Sequence, residues 1–432
     1  MTRPSWTRRR FVGMASAVAA STASAAGIAE AAYRNASGAL RRAPRSPQSD
    51  DDWRDVLAAF DLGDRVTMNT ANLAPASAPS RAVLAELSAA VDADPSFQNR
   101  ARFGELLQDT RRTVAAYLGA DPEEIVLTRN TTEGNNFVVQ GVDLEAGDEV
   151  LLTEHNHPSN RQAWHVRAQR EGFTVREVPV PSPPPDAPYL MDSLVDAVTD
   201  RTRMIAYSHV TNLGGCRYPA AEINAWARQR GILTLVDGAQ TCGAIDVDLH
   251  ALGCDFYAAS GHKWPCAPRE VGVLYVRAGS EQQLWPSVVS VGFDEARAVG
   301  KMESLGQRDD AVLAAFGHAV KFLQDIGSRA VEARVAALTG LFKQRLQEMP
   351  RVTLYTPMDA ALSGGVVTFH LDGIDARAAY DWLYRERQIV AASSGVEQGG
   401  VRFSPHIYTS VAGCERALEA VDELVSGRVV LS

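Results

Sequence analysis

Ala258-Ala-Ser-Gly-His-Lys-Trp264 is the stretch on which the reading of this chain turns. An apolar run from Phe256 reads as a buried strand, and Lys263 follows it almost at once. Lysines are rare in this sequence: of 43 basic residues only Lys263, Lys301, Lys321 and Lys343 are lysine. Upstream, another apolar run, Ile232-Leu-Thr-Leu-Val236, ends in Asp237-Gly-Ala-Gln240. An amine at one strand end and a carboxylate at another are the two groups that a pyridoxal phosphate (PLP) site requires. Lys263 would form the Schiff base, and Asp237 would hold a proton on the pyridine nitrogen so that the ring can take up electrons. The competing reading is a surface lysine that happens to follow a Ser-Gly turn.

The same rhythm extends outward. Strand-like runs at 125–128, 149–153, 173–178, 204–208, 232–236, 256–259 and 271–276 are interleaved with helical patterns at 97–118, 158–171, 190–199 and 219–230. Apolar strands alternating with helices predict a mainly parallel α/β sheet buried on both faces. Ligands of such sheets bind beyond the carboxyl ends of the strands, where Asp237 and Lys263 both fall. After two long helical patterns at 309–326 and 328–349, short strands and helices predict a smaller α+β domain. The expected division is a leader at 1–45, an N-terminal arm at 46–79, a large domain at 80–308 and a small domain at 309–432.

Other motifs fall at strand ends in the same order. Thr128-Arg-Asn-Thr-Thr-Glu-Gly-Asn-Asn136 opens a helix whose free N–H groups suit a phosphate, with Thr131 and Thr132 as hydroxyl donors. Alone it would read first as a plain helix cap; Lys263 downstream reverses that. Ser260 and His262 flank the lysine and can close the same cup. In Glu154-His-Asn-His157 the two histidines could be a metal pair, but no third ligand is visible, so His157 is expected to stack on the pyridine and no metal is expected. Asn212 and Gln240 are placed to reach the phenolic oxygen of PLP. Arg402, in Arg402-Phe-Ser-Pro-His406, is the candidate clamp for a substrate carboxylate, with Asn72 in the turn 68–75 as a second substrate contact.

These motifs together resemble the class V aminotransferase family of PLP enzymes, in its isopenicillin N epimerase-like and cysteine desulfurase-like branch. The resemblance runs from about Asn69 to the C-terminus. It implies fold type I, with a seven-stranded type of mainly parallel sheet, and a homodimer whose active sites lie at the subunit interface. It also implies that Gly306-Gln307 reaches the neighbouring subunit's phosphate, although the family usually carries Thr where Gln307 stands. Desulfurases carry a nucleophilic cysteine on the loop before the carboxylate-binding arginine. Here that loop reads Val390-Ala-Ala-Ser-Ser-Gly-Val-Glu-Gln-Gly-Gly400, without a thiol. The resulting expectation is chemistry at the α-carbon of an amino acid by an epimerase or aminotransferase. A C–S (sulfoxide) lyase and a PLP-fold binding protein without turnover are the alternatives.

The N-terminus differs from the body. Thr7-Arg-Arg-Arg-Phe-Val-Gly13, a weakly apolar Ala/Ser stretch and Ala23-Ser-Ala25 resemble a twin-arginine export signal with its cleavage site. The translocation machinery is then a partner, export a consequence, and no stable membrane insertion is expected after cleavage. Beyond residue 45 the chain carries 35 basic and 51 acidic residues, a balance that argues against nucleic acid as a partner. Five cysteines without CxxC spacing give no disulfide framework.

Overall fold

The computed structural model describes residues 25–37, 46–395, 399–429 and 431. After a two-residue strand, β1 (Val66–Thr67), come the strands of the main sheet: β2 (Ile125–Thr128), β3 (Glu149–Thr153), β4 (Thr174–Val178), β5 (Thr202–Ser208), β6 (Leu233–Asp237), β7 (Phe256–Ser260) and β8 (Gly272–Val276). Their spatial order is β2-β8-β7-β6-β5-β3-β4. Only β8 runs against its neighbours, antiparallel to both β2 and β7. The link from β7 to β8 is residues 261–271, too short to carry the crossover helix that a parallel return needs.

Strands β2, β3, β7 and β8 are buried along their whole length, which explains their unbroken apolar runs. Alternate residues face opposite layers. Leu127, Leu151, Ile205, Val236 and Tyr257 join one apolar cluster, while Val126, Val150, Met204, Leu235 and Phe256 join another. The first layer contains α1 (Ala25–Ser37), α2 (Ala78–Ala93) and α3 (Phe103–Leu118); the second contains α4 (Thr131–Gly141) and α5 (Pro158–Glu171).

Two expected boundaries shift. Helix α6 (Asp310–Ile326) was placed in the small domain, but it packs on α2 and α3. In the next helix, α7 (Ser328–Gln347), Val331 and Val335 belong to the large cluster, and Leu338, Phe342 and Leu346 to the small one. The change of core therefore occurs inside α7, because one continuous helix spans both. The small core also takes Val66 and Met68 from the N-terminal arm, through parallel pairing of β1 with β11 (Ile389–Val390). Strands β9 (Val352–Leu354), β10 (Val367–Leu371), β12 (Ala392–Ser394) and β13 (Gly400–Phe403) form an antiparallel sheet in the order β12-β13-β10-β9, with α8 (Val411–Val425) packed in the same core.

The second correction concerns the leader. The expected leader at 1–45 is not wholly separate from the body, because α1 is docked on it. Ala25, Ala29, Ala32 and Tyr33 lie on one helical face and are buried against the large domain. The Tyr33 hydroxyl donates to Asp325 Oδ2 at 2.7 Å, and its ring tilts against His318 at 5.4 Å. Small alanines let α1 approach α2 closely, a partnership that its weakly apolar composition concealed. The twin-arginine stretch 7–13 lies outside the described residues, as do Val396, Glu397 and Gln398. Among the described residues, no helix is long and apolar enough to cross a membrane.

Candidate active site

The carboxyl ends of β2, β3, β5, β6 and β7, the N-terminal arm and β13 converge on one site. Register sets its floor: Asp237 pairs with Ser208 on β5 and with Ala258 on β7, so the acid sits two residues before the end of β7 and five before Lys263 in the sheet's frame. The glycines of both motifs are steric requirements. A Cβ on Gly238 would lie 2.0 Å from the Tyr257 ring, and one on Gly261 would lie 2.6 Å from Val271 Cγ2.

Asp237 is buried. Its Oδ1 accepts the Ala239 N–H at 3.0 Å and its Oδ2 accepts Asn135 Nδ2–H at 3.0 Å. Lys263 is half-buried and forms no ion pair with any described residue. Burial pushes its ammonium down to about 8; the Asp237 charge works against that shift and the Arg402 charge adds to it. Such an amine is a usable nucleophile and base near neutral pH.

The phosphate end is built by α4. Asn130 caps the helix by accepting the Glu133 N–H at 2.9 Å. The Thr131 N–H donates to Ser260 Oγ at 2.9 Å, and the two hydroxyls meet at 2.7 Å, so the cup residues from β2 and β7 do come together. Thr132 is exposed at the same helix end. The His262 carbonyl accepts the Ala74 N–H at 2.9 Å, and burial, then the Lys263 and Arg269 charges, push its imidazole down to about 4. His157 opens to solvent on one side. Burial of the rest of the ring, then the Lys263 charge, lowers its pKa. Its Nδ1 accepts the Ser159 N–H at 3.2 Å, which puts the proton of the neutral ring on Nε2.

Arg402 on β13 is buried. Its Nη1 donates to the Asn212 carbonyl at 3.1 Å and its Nη2 to Asn69 Oδ1 at 3.3 Å, while Nε is buried with no hydrogen-bond partner. Burial pushes it down to about 10. Among the described residues no carboxylate pairs with it. A buried guanidinium with an unmet donor and no counter-ion is a site prepared for an anion.

One expectation changes. Asn72 is exposed, with its N–H on the Asn69 carbonyl at 3.0 Å; the turn presents Asn69 to Arg402 instead. Gln240 is tied at both ends, its Nε2 donating to the Ala71 carbonyl at 3.0 Å and its Oε1 accepting Trp264 Nε1–H at 2.8 Å, so one N–H remains for a ligand. Gln307 does not enter this chain's own cup. It is exposed, and its Oε1 accepts Arg100 Nη1–H at 2.5 Å. Sequence reasoning also passed over Asn135, although it lies within the quoted threonine motif, and His406, whose Nε2 bonds the Trp264 carbonyl at 2.7 Å behind the lysine.

The residues fit PLP. A lysine without a counter-ion, a carboxylate already supplied with two donors and a hydroxyl-lined helix end stand on one sheet edge, and the unpaired Arg402 completes a place for an acidic substrate. Fold and site define a PLP-dependent protein of fold type I. Residues 74–416 match the Aminotransferase class-V family, and the chain belongs to that family. The isopenicillin N epimerase of Streptomyces clavuligerus is 34% identical over 336 residues, covering 74% of this chain and 84% of its own. That of Amycolatopsis lactamdurans is 35% identical over 341 residues, covering 74% and 85%. Among solved structures, a cysteine desulfurase from Escherichia coli aligns with a TM-score of 0.77 at 24% identity, covering 88% of this chain and 99% of that one.

Proposed function

We propose that this protein acts at the α-carbon of an amino acid, as an epimerase of the isopenicillin N epimerase kind or as an aminotransferase. The observation that carries the reading is the convergence of Lys263, Asp237 and a buried Arg402 that has no carboxylate of its own. When bound, PLP supplies an electron sink for the bond broken at Cα. Lys263 would hold the cofactor covalently and, once released by the incoming amine, take the Cα proton. Asp237 would keep the ring nitrogen protonated. Thr131, Ser260 and the N-terminus of α4 would bind the phosphate, and Arg402 would orient the substrate carboxylate. His157 would cover the ring.

Two relatives named isopenicillin N epimerase, at 34% and 35% identity, support the epimerase outcome. The thiols speak against desulfuration. All five cysteines are buried, and burial pushes Cys216, Cys242 and Cys414 up to about 12, far from the thiolate that a persulfide acceptor needs. The test is a screen of amino acids in deuterated water, reading product chirality, oxo-acid and pyruvate together. Deuterium at Cα with inversion marks an epimerase, oxo-acid an aminotransferase and pyruvate a lyase. Alanine and sulfide from cysteine would overturn the exclusion of desulfurase chemistry, and no exchange with any amino acid would leave the non-catalytic alternative.

We also propose a homodimer and export by the twin-arginine route. Trp285, Val288, Val289, Val291 and Phe293 are at least half exposed in one short segment, a concentration of apolar surface that a second copy would cover. Cleavage after Ala23-Ser-Ala25 would leave all of α1 but Ala25 on the mature chain. Protein recovered from outside the cytoplasm should therefore be a dimer beginning near Ala26. A monomer in sedimentation would overturn the first proposal, and a cytoplasmic species beginning at Met1 or Thr2 the second.

A further inference from the structure

We propose that Asn135 is a positioning residue: its amide donates to Asp237 and fixes the carboxylate in orientation, and so biases the shared proton toward the ring nitrogen of PLP. This rests on the proposed role of Asp237.

Asn135 is fully buried on α4, one turn after Thr131, so a single helical face carries both the phosphate cup and the partner of the acid. Phe137, Val138 and Val139 follow it into the second core layer, and Ala258 and Leu274 lie against the neighbouring Gly134. A leucine would suit such a place. Instead an amide stands there with Nδ2 committed to Asp237 Oδ2 at 3.0 Å and Oδ1 buried without a hydrogen-bond partner. A polar side chain whose carbonyl half goes unmet has to be justified by the amide half it uses.

That half has a definite chemical effect. An N–H donated to a carboxylate oxygen favours the ionised acid over the protonated one. With the Ala239 N–H on the other oxygen, both oxygens of Asp237 are held and the carboxylate cannot rotate. Among the described residues the Asp237 charge also acts on Lys263, His157 and Tyr257, and the Tyr257 hydroxyl is engaged with Thr241 at 2.8 Å. Asn135 is thus the one side chain shown bonding the acid directly among the described residues. When one proton is shared between an aspartate and a pyridine, stabilising the carboxylate moves that proton toward the ring.

The experiment uses the holoenzyme loaded with PLP carrying nitrogen-15 in the ring, whose chemical shift reports protonation without turnover. Wild type is expected in the protonated range and Asp237→Asn in the unprotonated range. Asn135→Leu, which keeps the shape and removes the donor, is expected to lower the protonated-to-unprotonated ratio by about tenfold. Asn135→Ala should move the same way and serves if the leucine variant does not fold. A wild-type ring shift in the Asn135 variants, even with weaker cofactor retention, would mean that the residue only packs, and would overturn the proposal. If Asp237→Asn also kept the wild-type shift, the role of Asp237 itself would have failed, and this one with it.

Discussion

Lys263→Ala is expected to abolish turnover and covalent retention of PLP together. The other lysines are placed and engaged elsewhere. Lys301 Nζ donates to the Glu281 carbonyl at 3.1 Å, Lys321 pairs with Asp325 at 3.2 Å, and Lys343 donates to the Pro357 and Met358 carbonyls and to Ser363 Oγ. Borohydride reduction of wild type should accordingly fix the cofactor on the peptide containing Lys263. The state of the amine adds a pH signature. With its pKa pushed down to about 8, roughly a tenth of the amine is uncharged at pH 7, against well under a thousandth for an ordinary lysine. The charged form predominates below that value and cannot attack an aldehyde, so PLP uptake by the apoprotein should quicken as pH rises and level off above about 8. Label on Lys301, or uptake still climbing steeply toward pH 10, would show that the site lysine is another residue or is not lowered by burial.

The site was legible wherever a local pattern fixes position. A strand end places the residues after it at the sheet's carboxyl edge whatever the rest of the chain does. Thr131, Asp237, Ser260 and Lys263 could therefore be set together from strand-helix alternation and short motifs. Their partners could not, because these depend on side-chain reach. Asn69 and Asn72 lie in one turn and carry the same amide, and only the docking of that turn beside β13, through the parallel bridge of Asn69 with Ser404, decides which reaches Arg402. Gln307 bonds Arg100 within its own chain, and the role its motif implies is toward a neighbouring subunit, which no local pattern places. The docking of α1 was hidden for another reason. Alanine contributes little to an apolar pattern, and its value at Ala25, Ala29 and Ala32 comes from the close approach it permits once α2 is in place. The large-to-small boundary escaped because α7 is continuous in sequence and in helix, and only its two sets of core partners divide it.

Arg402→Ala is expected to weaken binding of every α-carboxylate substrate while leaving the cofactor attached. The guanidinium lies beneath the N-terminal arm with Asn212 and Asn69 holding two of its nitrogens, so its remaining donors are oriented before any ligand arrives. Truncating one partner of a buried charge pair costs about 2–5 kcal/mol, much of it from the stranded partner charge, or a factor of roughly 30 to 5,000 in affinity. Arg402→Lys should recover only part of this, since an ammonium keeps the charge and loses the planar fork that meets both carboxylate oxygens. An independent consequence separates the clamp from mere packing. Arg402 is one of the charges that depress Lys263, so removing it should move the lysine's titration in the apoprotein to higher pH, and Arg402→Lys should leave it nearer the wild-type value. Matching amines that lack a carboxylate should bind to wild type and Arg402→Ala alike. Unchanged apparent affinity for carboxylate substrates in Arg402→Ala would remove the clamp from the site and leave the buried guanidinium as a strut between β13 and the Asn212 loop.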